Sequence, residues 1–111
     1  MKYTIYQFDS KVFFEDGQYK SEDHADKLFD ITFHGKVSGN DLFMYRPVAD
    51  IEANDLDEVF HIGNIGPAEK IDAYHRMKSI SVGDIICDED GNYMVVGQYG
   101  FHALPEVGEA A

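Results

Sequence analysis

At 111 residues the chain is long enough for one packed domain and too short for two ordinary ones. Hydrophobic residues make up 44% and aromatic residues 14%, which excludes general disorder and permits a core. Asp and Glu total 21 against 9 Lys and Arg, and this formal net charge of −12 repels phosphate backbones and argues against direct nucleic-acid binding.

A lone cysteine, Cys87, excludes an intramolecular disulfide and fits a reducing compartment. Its neighbours Asp84, Asp88, Glu89 and Asp90 raise a thiol pKa, so Cys87 reads as a core or edge-strand residue and not as a nucleophile. No apolar run approaches the ~18 residues of a membrane span. Met1–Tyr6 lacks the long apolar core of a signal peptide. The expected location is the cytoplasm of a host cell, with no membrane partner.

Lys2–Phe8 is β-branched and aromatic without Gly or Pro, and is expected to be a strand. Tyr3, Ile5 and Gln7 share one face and Thr4, Tyr6 and Phe8 the other, as in a central, well-covered strand. Val12–Phe14 reads as a short strand or buried loop, and 15–20 as a loop. Ser21 is the expected N-cap of a helix over 22–29, whose first turn carries Glu22 and Asp23 and whose buried stripe is Ala25, Leu28 and Phe29. Ile31, Phe33, Gly35 and Val37 alternate with polar residues, a strand pattern that also allows a loose extension of the helix. Ser38–Asp41 is a turn.

Residues 42–53 read as a strand broken near Pro47, which belongs on an edge or at a bulge. Asn54 is the expected cap of a helix over 55–62, with Leu56, Val59 and Phe60 inward and Gly63 or Asn64 at its end. Pro67–Tyr74 reads as another short helix. Ile85–Cys87, the turn Asp88–Asn92 and the run from Tyr93 form a β-hairpin, since the glycine of an Asp-Gly pair takes the positive φ of a tight turn. Gly97 and Gly100 bend the second strand before Phe101–Leu104. The expected fold class is α+β: a mainly antiparallel sheet with two or three short helices on one face and a C-terminal β-hairpin. The domain spans 1–105, and 106–111 is a tail.

Motifs for chemistry are weak. With Gly91 at the sixth position of a calcium loop, Ile86 and Gly97 occupy positions that need acidic ligands, so the segment reads as a solvated turn. The histidines form no His-x-x-x-His pair, and no Gly-x-Ser-x-Gly elbow occurs. Gly63-Asn64-Ile65-Gly66 lacks the third glycine of a dinucleotide fingerprint. No cofactor, metal or catalytic residue is assigned. The acidic run remains: Asp50, Glu52, Asp55, Asp57, Glu58 and Glu69 lie between Arg46 and Lys70 with no intervening cation. Such a surface suits a basic groove of another protein, carboxylates standing in for phosphates. A plain solvated face, with helix-start preferences at Asp55, Asp57 and Glu58, describes the same residues.

Five segments together resemble a family. They are Tyr3–Gln7 (Tyr-x-Ile-Tyr-Gln), Tyr45–Ala49 (Tyr-Arg-x-Val-Ala), Leu56–Phe60 (Leu-Asp-Glu-Val-Phe), Ser79–Ile86 (Ser-x-Ser-Val-Gly-Asp-Ile-Ile) and Tyr99–Leu104 (Tyr-Gly-Phe-x-x-Leu). The pattern resembles the YodL-like domains and related small proteins of bacteriophages, archaeal viruses and conjugative elements. It covers most of 42–104 and a short N-terminal piece, whereas 9–41 match no named family. The resemblance implies a small accessory protein of a mobile element, with Val82, Gly83, Asp84, Gly100 and Phe101 as fold determinants. The expected function is therefore a non-enzymatic protein that binds a host protein with a basic surface, through Asp50, Glu52, Asp55, Asp57 and Glu58. Its sharper form is a nucleic-acid mimic of anti-restriction or anti-CRISPR type. The alternative is a structural, self-associating virion component, a homo-oligomer. A third reading, an enzyme using scattered His and Asp, requires a buried pocket with convergent, pKa-perturbed groups.

Overall fold

The computed structural model describes residues 1–104; the expected tail, 106–111, lies outside the described residues. The chain is α+β and its main sheet has six strands. These are β1 (Lys2–Phe8), β4 (Tyr45–Glu52), β5 (Ile71–Ala73), β6 (Ile85–Cys87), β7 (Tyr93–Gly97) and β8 (Gly100–Ala103), in the order β5-β4-β1-β6-β7-β8, with every pairing antiparallel. A separate hairpin joins β2 (Phe14–Glu15) to β3 (Gln18–Tyr19). The helices are α1 (Ser10–Phe13), α2 (Glu22–His34) and α3 (Leu56–Asn64), with 3-10 turns at Gly39–Met44 and Ala68–Lys70.

The helices do not share one face of the sheet, contrary to expectation. Tyr3, Ile5, Ala49, Ile51 and Ile86 form one core with Val59 and Ile62 of α3. Ile85, Val95 and Tyr45 form another with Leu28 and Ile31 of α2 and with Phe13 of α1. Ile85 and Ile86 are both fully buried, one in each core, as an apolar run in a sheet covered on both sides requires. Burial in β1 alternates as expected, with Tyr3, Ile5 and Gln7 inside.

β4 is a central strand, and Pro47 is tolerated there by a bulge. Ile5 pairs with Ala49 and Tyr6 with Pro47, so Val48 is an extra residue on β4. The Val48 carbonyl then accepts from the Tyr74 and His75 amides at 3.0 and 3.2 Å, which ties the start of the 74–84 loop to the bulge.

Several sequence expectations are corrected. Residues 12–13 are helical, because Asp9 caps α1 by accepting from the Lys11 amide. Residues 15–20 are not a plain loop: Asp16 and Gly17, at φ 53° and 80°, form the two-residue turn of the β2–β3 hairpin. Ser21 does cap α2, but the helix continues to His34, and 31–37 is no strand. Thr32 Oγ1 donates to the Leu28 carbonyl at 2.8 Å, and Gly35 ends the helix in the left-handed conformation at φ 64°. The buried stripe of α2 is Leu28 and Ile31. Phe29 and Phe33 face outward and stack on each other at 4.5 Å, one turn apart. Residues 42–44 belong to a 3-10 turn and not to β4.

In α3 the cap is Asp55, not Asn54: its Oδ1 accepts from the Glu58 amide at 2.8 Å. Val59 and Ile62 are buried and Phe60 is 38% exposed, and the helix runs through Gly63 and Asn64. The expected helix over 67–74 is a single 3-10 turn followed by the edge strand β5. The expected hairpin is present as β6–β7, and β8 extends it into a three-stranded meander through the Gln98–Tyr99 turn. Among the described residues no helix is long and apolar enough to cross a membrane.

Candidate functional site

The antiparallel register brings the start of β1, the end of β4 and the end of β6 to one end of the sheet. Lys2 pairs with Glu52, and Thr4 sits between Asp50 and Cys87. α3 begins just beyond Glu52, and the β6–β7 turn begins just beyond Cys87. Two acidic segments far apart in sequence, 50–58 and 88–90, therefore meet.

Between them lies a cleft of about 830 Å³. Its walls are the apolar side of the sheet (Tyr3, Ile86, Met94, Phe101) and the first turn of α3 (Leu56), and Asp55, Asp57 and Asp88 stand at its rim. Convergence of the charges is visible in their effect on two groups. Burial, then Asp88, Asp55 and Glu89, raise the Tyr3 phenol. A hydrogen bond to Glu52, opposed by burial and aided by the charges of Glu52, Glu89 and Glu58, raises the Met1 ammonium.

The five residues singled out from sequence are not all in this cleft. Asp55 and Asp57 line it, and both are exposed. Glu58 follows on α3 and accepts from Asn54 Nδ2 at 3.3 Å. Glu52 forms an exposed pair with the Met1 ammonium at 2.9 Å, an arrangement that contributes little to stability. Asp50 is on the opposite face of the sheet: its Oδ1 accepts from Thr4 Oγ1 at 2.8 Å and from the Tyr74 hydroxyl at 3.5 Å. One-residue alternation along β4 separates Asp50 from the cleft that α3 covers.

Asp88, expected from sequence as a turn residue, belongs to the rim. Its Oδ1 accepts from the Asp90 and Asn92 amides, both at 2.9 Å, and its Oδ2 from Asn92 Nδ2 at 3.1 Å. Burial acts to raise its pKa, but these hydrogen bonds outweigh it and hold the carboxyl below its ordinary range. Asp88 is therefore a fixed negative charge at neutral pH. The sequence signal was the acidic composition of the turn; its place beside Asp55 depended on strand pairing. Cys87 lies next to it in β6, and burial pushes its thiol up, with Asp88 adding to the shift.

Among the described residues, the one buried carboxyl with a strongly raised pKa is elsewhere. Asp84 is 5% exposed and Oδ2 accepts from Gln7 Nε2 and from the Ser81 amide, both at 3.0 Å. Gln7 in turn donates to the Lys78 carbonyl at 2.9 Å and accepts from the Lys78 amide at 3.0 Å. Asp84 thus clamps the 78–84 loop to β1. Comparison with protein-family models, curated proteins and solved structures finds no match for this chain.

Proposed function

We propose that this is a non-enzymatic binding protein that takes a basic segment of a partner protein into the acid-rimmed cleft. The observation that carries this reading is the meeting of Asp55 and Asp57 with Asp88 around an apolar floor of Tyr3, Ile86, Met94 and Phe101. Apolar contact supplies affinity, and the rim charges supply orientation and rate of encounter. The resemblance to small mobile-element proteins supports a host protein as the partner. In the sharper form, the carboxylates of α3 and the β6–β7 turn stand in for phosphates in a nucleic-acid-binding groove of that host protein.

The test uses Asp55→Asn/Asp57→Asn/Glu58→Gln, which removes three charges at nearly constant shape. Asn caps a helix about as well as Asp, so α3 is preserved. Affinity capture from host lysate with mass spectrometry is expected to recover a partner that the triple variant loses by about tenfold or more, and that wild type loses at high salt. Capture of the same partner by the variant at undiminished yield would exclude this cleft as the binding surface. A captured partner with no nucleic-acid-binding groove would exclude mimicry alone.

A second reading, self-association, draws on exposed aromatic side chains: Phe29 is 51% exposed, Phe33 59%, Phe43 72% and Tyr99 99%. Sedimentation at rising concentration is then expected to show a mass above the monomer that Phe29→Ser/Phe33→Ser abolishes. A constant monomer mass rules this reading out.

A further inference from the structure

A second cleft, of about 330 Å³, opens at the opposite end of β1. Gln7, Phe8, Arg46 and Val48 form its wall from β1 and β4, and Arg76, Lys78, Ser79, Ser81 and Asp84 come from the loop before β6. The chain has only two arginines, and both line this cleft. Three of the nine cationic side chains thus gather at one place in a protein that carries 21 acids.

Among the described residues, none of the three is paired with a carboxylate; the ion pairs present are Met1–Glu52 and Lys27–Asp41. Unpaired convergent cations repel one another, and a molecule with so many carboxylates offers ready partners for them. Their position follows from the fold. The Val48 bulge anchors the start of the loop, Gln7 and Asp84 clamp its end, and Lys78 Nζ lies 4.8 Å from the centre of the Phe8 ring. The acid-rimmed cleft is towards the other end of β1: Tyr3, which lines it, is four residue steps, roughly 13 Å, from Gln7.

We propose that this basic cleft is a binding site for a small phosphorylated ligand. Guanidinium forks match the geometry of phosphate oxygens, and the Lys78 ammonium and the hydroxyls of Ser79 and Ser81 add charge and donors. The volume is at the small end of ligand pockets, roughly 300–1,000 Å³, and suits a phosphate with a sugar-sized body. A polyanion such as RNA would bring further phosphates against the net charge of −12, so a single phosphate group is favoured over a nucleic acid. Asp84, at the back, is engaged by Gln7 and Ser81, and burial holds its carboxyl up to about 7, so it does not stand as a full opposing charge at neutral pH.

The experiment is a titration of the isotope-labelled full chain with inorganic phosphate and then ribose 5-phosphate, read by amide chemical shifts at constant ionic strength. Saturable shifts confined to the neighbourhood of Gln7, Arg46 and residues 76–81 are expected, tighter for the sugar phosphate. Arg76 is exposed, so Arg76→Ala is expected to keep the fold and weaken binding by about tenfold or more, with Arg76→Lys in between. Arg46→Ala is the second variant. Linear, non-saturating shifts spread over all lysines, or an equal effect from Lys36→Ala, would overturn the proposal. So would a short single-stranded oligonucleotide that binds more tightly than ribose 5-phosphate.

Discussion

Gly83→Ala is expected to lower folding stability by about 2–5 kcal/mol, the sum of a left-handed backbone penalty and an overpacked contact. Gly83 has φ 92°, and a Cβ there would lie 2.3 Å from the Ile31 carbonyl oxygen and 2.7 Å from Ile31 Cγ2. Relaxation is blocked on three sides. The Gly83 amide donates to the Val96 carbonyl at 2.8 Å, and its own carbonyl accepts from the buried Tyr45 hydroxyl. The Ile31 carbonyl is itself the acceptor for Gly35 at the end of α2. One methyl group would therefore disturb the junction of α2 with the sheet. Typical stabilities are about 5–15 kcal/mol, so the loss would be visible as a large fall in the denaturant midpoint. Gly91→Ala is the internal control: φ is 83°, yet nothing lies within 4 Å of the added Cβ. Only the backbone penalty, about 1–2 kcal/mol, is expected there. Equal midpoints for the two variants would show that the close approach to Ile31 has no energetic weight.

Asp84→Asn is expected to change the pH dependence of stability. Burial raises the Asp84 carboxyl from 3.8 to about 7, against the opposing pull of the Ser81 amide, the Gln7 amide and the Lys78 charge. Because the folded pKa is above the unfolded one, the folded state holds the extra proton between about pH 4 and 7. Stability from this group is thus greatest below pH 4 and falls as the pH rises to 7. Asn presents an acceptor to Gln7 and Ser81 without a charge, so the variant lacks this fall. Between pH 4 and pH 8 it should gain about 3–4 kcal/mol relative to wild type, at 1.36 kcal/mol per pKa unit. Asp41 and Asp88, whose pKa values are lowered, contribute in the opposite sense in both proteins, and their contribution cancels in the difference. Denaturant unfolding of the pair at five or six pH values measures it. Parallel curves would mean that Asp84 ionises in the folded protein as it does in the unfolded chain.

Local signals identified much of this protein. β1, the β6–β7 hairpin, the Ser21 cap and the bulge at Pro47 each rest on residues adjacent in sequence, and each is present. The α+β class follows from them. Where local signals conflicted, packing decided. Ile31, Phe33, Gly35 and Val37 alternate like a strand, but Ile31 is fully buried one turn beyond Leu28, and Gly35 can end a helix. Residues 71–73 form a strand because β4 offers an open edge, a condition that no property of Ile71-Asp72-Ala73 reveals.

The clefts were legible only in part. Asp55 and Asp57 stood out as helix-start carboxylates in an acidic run, whereas the gathering of Arg76 and Lys78 with Arg46 came only from the fold. Asp50 was grouped with the first set and lies on the other face, since strand alternation sends it there. Asp88 and Arg46 were missed as partners of the two clusters, because their positions depend on pairing across the sheet. The sequence by itself determined the charge, the short elements and their caps. Only the tertiary structure decided which charges meet, because antiparallel pairing places residues more than thirty positions apart side by side, and that order of strands depends on burying both faces of one sheet at once.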